Sequence, residues 1–533
     1  MAGHRCCGWY NDVMKIRPAL PQLGALTATV FLAGCGAPHI TLPRQGNILP
    51  RPTLNIVAQG SSTLNPVVSY DNSPAAAIDQ LMWNGLVNIA PNGIVIPDLA
   101  MHWTISNRYQ EFVMALDPRA KWWNGRPITA HDVVWTYQFY QKRYSGFRGY
   151  RALDRLIQSV SAVSPTKVAF RLSHPDPGFL ADWASQGSGV FILPAFALDY
   201  LPISQVVKAK ALSDPLDFIG TGAFRPISRS SNYLVLRAVP RYFEGTPKFS
   251  YILWRTSPPR RMTRLSAILW LTPSTSKNPA LKPLWSEDGR YWMLLANMHN
   301  GILRNNQALR GLYQGLDRSA IARLGNGQIA NGPLPPSNWF ANPLLKPPAF
   351  NPQAATTATA SFRHHVMPIL VDRGHPREVS ACRMITRQGN SLGITFSCNP
   401  QPKKIFYSDL EHSRFVWALV NRPASPVGWV FSQYYEGLTP PLGQNLGSYS
   451  NPDTNRALLS TVDTMENTQH MIALYQLQDA LVKYPPGIFL AWPEKAVWVS
   501  SNFSGYQPNP YVAFYQPQSW YLIPPKTAKK AGG

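Results

Sequence analysis

The chain has few charged residues, and few acidic ones in particular. Only 14% of its 533 residues are charged, and 27 acidic residues stand against 50 basic ones, which gives a net charge of +23. Such a surplus suits nucleic acid, an anionic membrane or acidic ligands as partners. The basic residues are scattered, however, and neither zinc-finger spacing nor an RNA-binding aromatic motif accompanies them. We therefore expect no nucleic-acid partner.

The motifs of common enzyme classes are also absent. The chain has no Gly-x-Ser-x-Gly elbow, His-Glu-x-x-His pair, phosphate-binding loop or Gly-x-Gly-x-x-Gly turn. His364, His365 and His375 make an incomplete metal site, because adjacent histidines on a strand point to opposite faces. Asp317 precedes a helical pattern and is interpreted as a helix N-cap rather than a catalytic acid. We expect no enzymatic activity, no metal and no cofactor.

Long hydrophobic runs are missing, and the nearest approach to one lies at the N-terminus. Residues 14–17 carry positive charge, residues 18–31 are mostly apolar, and Leu-Ala-Gly-Cys follows, ending at Cys35. This order is typical of a secretory signal, and its ending resembles a bacterial lipobox, in which the cysteine is lipidated. We predict a lipoprotein signal peptide over residues 1–35 and a linker over residues 36–52. The alternative is a chance cysteine after an ordinary signal.

Cysteine is scarce, with five residues in the whole chain. Removal of the leader and lipidation at its end leave Cys382 and Cys398 alone in the body. A helical pattern over residues 377–388, followed by a strand over residues 393–398, would bring the two thiols together. This arrangement predicts a disulfide. Two buried free thiols are the alternative.

The residues that are abundant describe a large folded protein with many short elements. Hydrophobic residues make up 45% of the chain and aromatic residues 12%, which is enough for large cores. Fifty prolines and 36 glycines punctuate it. From residue 367 to residue 420, predicted strands alternate with predicted helices, a pattern that favours a mostly parallel sheet in an α/β region.

Three sequence blocks combine turn residues with aromatic or apolar residues in a fixed order. They are Thr-Leu-Asn-Pro at residues 63–66, Trp-Asn-Gly-Arg-Pro-Ile-Thr-Ala-His-Asp-Val at residues 123–133, and Gly-Thr-Gly-Ala-Phe with Phe-Glu-Gly-Thr-Pro at residues 220–224 and 243–247. In the second block Thr129 is a predicted N-cap with Asp132 in the first helical turn. The blocks resemble those of the bacterial extracellular solute-binding proteins of family 5, the oligopeptide, dipeptide and nickel class. The resemblance is weak only over residues 260–300 and 335–365.

This resemblance implies an α/β fold with two lobes. The expected type is a periplasmic-binding-protein-like fold of class II, cluster C, with an extra subdomain in the first lobe. The implied domains are lobe I in three parts (residues 53–85, 201–258 and 491–525), its extra subdomain (86–200), lobe II (259–490) and a tail (526–533).

The resemblance also implies a ligand site between the lobes. Many family members hold the ligand's ammonium with an acid in a loop after a second-lobe strand, and alignment on Pro426 puts Arg422 at that position. A guanidinium repels an ammonium and favours a carboxylate or a phosphate. We expect Arg422, Ser425 and Trp429 to line the cleft; the alternative is that Arg422 is a solvated residue of a loop that has drifted. The residues expected opposite them are Tyr70, Asp71, Asn72 and Ser73.

The function that the resemblance implies is that of the substrate-binding component of an ABC importer. Such a protein captures peptides or a related small solute and delivers it to a membrane permease with its ATPase subunits. We expect a monomer, lipid-anchored to a bacterial membrane in the periplasm or at the cell surface. The altered residue Arg422, together with the absence of the family's acidic turn near residues 264–282, motivates one alternative. It is a family-derived surface lipoprotein that no longer transports and acts as a sensor or an assembly partner.

Overall fold

The part of the chain that the structure describes begins at residue 52 and ends at residue 524. The predicted leader, most of the linker and the predicted tail lie outside it. All described residues fall within one unit of the chain, Leu49–Gly533. The computed structural model describes residues 52–58, 64–68, 76–147, 149–259, 266–271, 279–424, 429–440, 443–463 and 467–524.

Short strands dominate the described residues. They are β1 (Thr53–Val57), β2 (Val87–Ile89), β3 (Val95–Pro97), β4 (Ala100–Ser106), β5 (Glu111–Leu116), β6 (Ile157–Ser164), β7 (Lys167–Leu172), β8 (Phe224–Arg229), β9 (Tyr233–Ala238), β10 (Tyr251–Arg255), β11 (Ser266–Trp270), β12 (Leu281–Glu287), β13 (Arg290–Ala296), β14 (Gln328–Ile329), β15 (Val366–Asp372), β16 (Thr395–Gln401), β17 (Trp417–Pro423), β18 (Gly487–Trp492), β19 (Glu494–Ser500), β20 (Phe503–Ser504) and β21 (Tyr521–Leu522).

The helices are concentrated in the second half of the chain. The α-helices are α1 (Ala130–Tyr140), α2 (Tyr150–Leu156), α3 (Phe179–Trp183), α4 (Ala195–Leu198), α5 (Ile203–Val206), α6 (Asn306–Gly315), α7 (Arg318–Leu324), α8 (Pro352–Ala358), α9 (Pro376–Ser391), α10 (Lys403–Glu411), α11 (Trp429–Tyr434), α12 (Pro452–Asp463) and α13 (Asn467–Lys483). Short 3₁₀ helices occupy Ala76–Leu81, Arg143–Ser145, Gln186–Ser188, Lys210–Leu212, Gly301–Arg304, Ala360–Phe362 and Pro517–Ser519.

A seven-stranded sheet forms the framework of the first lobe, in the order β12-β19-β11-β1-β10-β9-β8. Strand β1 lies in parallel between β10 and β11. All five of its residues are buried. A mostly apolar sequence, here Thr-Leu-Asn-Ile-Val, is typical of a parallel strand that is covered on both faces. The predicted strands around residues 223–254 are confirmed as β8, β9 and β10, an antiparallel run at one end of this sheet.

The Gly-Thr-Gly block between α5 and β8 packs against the end of the helical turn at residues 76–81. The Thr221 hydroxyl accepts a hydrogen bond from the Asn84 amide at 2.9 Å, and the Gly222 amide donates to the Met82 carbonyl at 2.8 Å. A side chain at Gly222 would place its Cβ 2.5 Å from the Leu81 carbonyl oxygen. The glycine is therefore required by close backbone contact.

The segment between β1 and β8 carries a four-stranded antiparallel sheet, in the order β4-β5-β7-β6, with α1 packed beside it. Helix α1 begins where its sequence predicts. The Thr129 backbone amide donates to the Asp132 carboxylate at 2.9 Å, and that carboxylate also accepts from the Ala195 amide at 3.0 Å. Burial raises the pKa of Asp132, and these hydrogen bonds oppose the rise.

A six-stranded sheet forms the framework of the second lobe, in the order β14-β18-β13-β17-β15-β16. Only the pairs β15–β16 and β15–β17 are parallel; the other three are antiparallel. The predicted alternation of strands and helices from residue 367 is confirmed, but the prediction of a mostly parallel sheet is wrong. Strands β13 and β18 enter the sheet from distant parts of the chain and reverse its direction.

The predicted boundary at residue 259 assigns β11 and β12 to the second lobe. Both strands instead pair with strands of the first sheet. Strand β11 lies beside β1, and β12 pairs along its whole length with β19. Both therefore belong to the first sheet, so the chain passes to the second sheet only after Glu287. The return, between β18 and β19, occurs at Pro493, close to the predicted boundary at residue 491.

A disulfide joins Cys382 of α9 to Cys398 of β16, with 5.7 Å between the Cα atoms. Helix α9 follows β15 and returns the chain to β16, which lies parallel to β15. The bond therefore fastens the helix to the edge strand of the second sheet. Among the described residues, no helix combines the length and the apolar character needed to cross a membrane.

Candidate ligand-binding site

The two chain crossings between the sheets lie side by side. One runs through Asp288 and Gly289, between β12 and β13, and the other through Pro493, between β18 and β19. The Asp288 amide donates to the Pro493 carbonyl at 2.9 Å, and Lys495 Nζ lies 3.3 Å from Asp288 Oδ1. Two adjoining crossings of this kind let two lobes rotate about a common line.

Gly289, directly before β13, contacts both the end of β17 and the first-lobe segment around Pro510. The Ala424 amide, directly after β17, donates to the Gly289 carbonyl at 2.8 Å. Gly289 itself has a φ of +74°, and a Cβ there would lie 1.9 Å from the Pro510 carbonyl oxygen. The neighbouring Asn509 side chain donates to the Ile89 carbonyl of β2 at 2.8 Å. The ends of β13 and β17 thus lie at the junction of the lobes.

Polar groups collect at the carboxyl ends of β15 and β17. The strand order is β17-β15-β16, so the chain leaves β15 toward β16 on one side and later places β17 on the other side. The strand order therefore reverses between β15 and β17, and open α/β sheets bind ligands at such a position. Asn421 Nδ2 donates to Glu378 Oε1 at 2.7 Å, and Arg290 Nε donates to Asn421 Oδ1 at 3.1 Å. Burial raises the pKa of Glu378, and the charge of His375 opposes this rise.

Arg422 follows Asn421 and points to the opposite face of the sheet, where its strand partner in β13 is Tyr291. It is 4% exposed. Its Nη2 donates to the Gln444 carbonyl at 2.7 Å, and its guanidinium carbon lies 5.6 Å from the centre of the Tyr434 ring. Burial of this kind excludes the prediction's alternative, a solvated loop residue.

The hydroxyl groups near Arg422 are hydrogen-bonded to neighbouring side chains. The Tyr291 hydroxyl donates to Gln433 Oε1 at 2.7 Å and lies 2.8 Å from the Tyr434 hydroxyl. Burial raises the pKa of Tyr291 well above its ordinary value, and the charge of Arg422 only partly opposes this rise. Both tyrosines are therefore neutral at physiological pH and do not neutralise the arginine.

The structure covers only part of the predicted site. Arg422 lies in β17, and Trp429 opens α11. Sequence reasoning missed Tyr291, Gln433 and Tyr434, since nothing local marks them and Tyr291 meets Arg422 only through strand pairing across 131 residues. The predicted residues that lie outside the described part of the chain are Tyr70, Asp71, Asn72, Ser73, Ser425 and the lipidation site Cys35.

The lobes also make a second contact, through the turn between β4 and β5. The turn between β4 and β5 has left-handed φ values at three successive residues, Asn107, Arg108 and Tyr109. Arg108 pairs with Asp463 at the end of α12, and the Tyr109 hydroxyl lies 3.4 Å from Nδ1 of His470 in α13. The extra subdomain of the first lobe therefore touches the second lobe in this conformation.

Within the described residues, no group of three or more histidine, cysteine, aspartate or glutamate side chains is arranged to hold a metal ion. Asp317 serves as the N-cap of α7, with its Oδ1 accepting from the Ala320 amide at 3.0 Å, as predicted. The features at the lobe junction are therefore those of a binding site: strand ends, a buried cation and neutral aromatic hydroxyl groups.

Comparison with known proteins identifies the family. The model of bacterial extracellular solute-binding proteins, family 5 (middle region), matches residues 95–437. The chain belongs to this family. A relative of this family 5 chain, the oligopeptide-binding protein AppA of Bacillus subtilis, is 23% identical over 438 residues, which cover 75% of the chain and 79% of AppA.

Solved structures show the same fold. The structure of Bacillus subtilis AppA in complex with a nonapeptide superimposes with a TM-score of 0.66 at 18% identity, covering 88% of this chain and 98% of AppA. HbpA2 of Haemophilus parasuis gives a TM-score of 0.72 at 19% identity, covering 88% of this chain and 99% of HbpA2. The predicted two-lobed α/β fold of the periplasmic-binding-protein type is confirmed.

Proposed function

We propose that this family 5 chain is the substrate-binding component of an ABC importer and holds a peptide or a related small solute between its two lobes. The family match over residues 95–437 carries the proposal, because it includes strands of both sheets and the first crossing between them. The relative AppA is an oligopeptide-binding protein, and its solved structure holds a nonapeptide. The protein would deliver its solute unchanged to a permease and its ATPase subunits.

The proposed mechanism is a hinge closure without covalent chemistry. The crossings at Asp288 and Pro493 form the axis, and the contact of Arg108 with Asp463 forms at the far side when the lobes close. A solute that touches both lobes binds the closed conformation better than the open one, and so shifts the population toward closure. The permease would then recognise the closed form.

The decisive test is native mass spectrometry of the full chain, purified from its source bacterium without refolding. Cargo carried from the cell should appear as a mass added to the folded protein and should be released unchanged after denaturation. A peptide digest offered to the emptied protein should be retained selectively. Absence of cargo together with no retention of any peptide would contradict the proposal, as would chemical conversion of the released cargo.

The proposed location is the periplasm or the cell surface, with the protein held as a monomer on a bacterial membrane by a lipid at Cys35. The support is the order of charge, apolar run and Leu-Ala-Gly-Cys at residues 14–35. Radiolabelled palmitate should be incorporated into the wild-type chain, which should sediment with membranes. The variant Cys35→Ser should take up no label and appear in the soluble fraction, whereas Cys382→Ser should still be labelled. Equal labelling of both variants would refute lipidation at Cys35.

A further inference from the structure

The side chain of Arg422 keeps one nitrogen unused in a buried setting. Its Nη2 donates to the Gln444 carbonyl, whereas Nη1 has no hydrogen-bond partner among the described residues. Only 4% of the residue is exposed. A buried donor left without a partner costs free energy, and more so when it carries charge.

No carboxylate of the described chain neutralises this charge. The ion pairs found among the described residues involve other arginines, lysines and histidines, but not Arg422. The hydroxyl groups of Tyr291 and Tyr434 are bound to each other and to Gln433. An isolated buried cation is unfavourable unless an opposite charge is supplied from elsewhere.

A second buried arginine in the same lobe shows how the fold satisfies such a group. Arg318 is 8% exposed, and its Nη1 donates to the carbonyl oxygens of Ala330 at 3.0 Å and Phe489 at 3.3 Å. It also lies over an aromatic ring, that of Tyr313, at 4.9 Å. Nη1 of Arg422 has no such carbonyl group within hydrogen-bonding distance among the described residues. The two arginines therefore differ in that Nη1 is hydrogen-bonded in Arg318 and is not hydrogen-bonded in Arg422.

The backbone that carries Arg422 lies at the lobe junction. Arg422 is two residues before Ala424, whose amide is bound to Gly289 at the crossing, and Gly289 contacts Pro510. We propose that the Arg422 guanidinium binds a carboxylate of the solute, which supplies the missing charge and accepts from Nη1. This inference rests on the proposed function and specifies which chemical group of the solute the second lobe binds.

The probe is a casein tryptic digest in which about half of all carboxyl groups have been converted to amides. The full chain, emptied of cargo, is mixed with this digest, separated by size, and the retained peptides are sequenced by tandem mass spectrometry. The wild-type chain should enrich peptides with a free carboxylate about tenfold over their amidated counterparts, since a charge-assisted pair is worth roughly 1.4 kcal/mol or more. Sequencing also shows whether that carboxylate belongs to the C-terminus or to a side chain.

Three variants give the comparison its controls. Arg422→Gln should reduce the enrichment to within about twofold, and Arg422→Lys, which keeps the charge, should retain part of it. Arg456→Gln removes a charge from an exposed arginine and should behave as the wild type. Circular dichroism establishes that each variant is folded; if Arg422→Gln does not fold, the comparison of wild type with Arg422→Lys decides.

Each result then has a distinct meaning. Retention of amidated and free peptides alike by the wild type overturns the inference and leaves the proposed function standing. Enrichment of free carboxylates that survives unchanged in Arg422→Gln overturns it as well, because another group must then read the carboxylate. If the wild type retains no peptide and carries no cargo, both the inference and the proposed function fail.

Discussion

A single added methyl group at Gly289 should distort the crossing between the lobes. The Cβ of an alanine there would lie 1.9 Å from the Pro510 carbonyl oxygen, and the residue has a φ of +74°, in the left-handed region. Two costs result. The backbone conformation costs an alanine about 1 kcal/mol, and the displacement of packed backbone costs about 1 to 3 kcal/mol.

The chain offers a matched control for the first of these costs. Gly125 has a φ of +85°, but a Cβ there would meet nothing within 4 Å. Gly125→Ala should therefore lower the free energy of unfolding by about 1 kcal/mol, from backbone strain alone. Gly289→Ala should lower it by about 2 to 4 kcal/mol, so the difference of about 1 to 3 kcal/mol measures the contact with Pro510.

Urea denaturation followed by tryptophan fluorescence gives the stabilities, and calorimetric titration with a retained peptide gives the affinities. If opening the lobes separates Gly289 from Pro510, the strain falls only on the closed form. The affinity of Gly289→Ala should then drop by about 5- to 150-fold, the equivalent of 1 to 3 kcal/mol. Gly125→Ala should bind as the wild type does. Equal destabilisation by the two variants, together with an unchanged affinity of Gly289→Ala for the peptide, would refute the reasoning, because the contact with Pro510 would then cost nothing in either form.

Three further results are expected. Replacing Cys382 and Cys398 by serine should lower the free energy of unfolding by about 3 kcal/mol, because the bond closes a loop with a sequence separation of 16; a reductant should produce the same loss in the wild type and none in the variant. Burial, aided by the nearby charge of Glu244, raises the pKa of Asp98 well above its ordinary value. The folded state therefore holds the proton more tightly than the unfolded state, and denaturation curves at several pH values should show stability falling as the pH rises above about 4. Asp98→Asn should flatten this dependence, and parallel curves for the two proteins would contradict the assignment. Arg108 and Asp463 are both about half exposed, so a double-mutant cycle on solute affinity should give a coupling below about 1 kcal/mol, and a larger coupling would mean that the pair is desolvated on closure.

Local patterns predicted local structure well. Strands β8, β9 and β10 were expected within one or two residues of their ends, because alternating apolar residues and turn residues lie next to each other in the sequence. The start of α1 followed from Thr129 and Asp132 in the same way. The Cys382–Cys398 disulfide depends on a helix and the strand that follows it, so it too was within reach of the sequence.

Long-range pairing was not predictable in this way. Strands β11 and β12 join the first sheet through β1 and β19, and the second of these lies more than 200 residues later in the chain. A short apolar run does not indicate which strand it pairs with, and the boundary at residue 259 rests on the family resemblance alone. The mixed direction of the second sheet was missed for the same reason, since β13 and β18 come from segments on either side of the helix–strand alternation.

The candidate site was predicted in one residue but not in its environment. Alignment on a proline identified Arg422, and its charge suggested an acidic group as partner. Whether the residue is buried, which donor it has left, and what lies over it depend on Tyr434 and Gln444, which approach through tertiary folding. The sequence contains these residues but does not show that they converge.

The place of β19 within the first sheet has a consequence for biosynthesis. This strand, residues Glu494–Ser500, lies between β12 and β11 rather than at an edge. Until residues 494–500 have been synthesised, β12 and β11 lack the strand that lies between them, and the first sheet cannot be completed. Completion of the first lobe therefore depends on a strand that is synthesised late, which suits a family of proteins that work outside the cytoplasm.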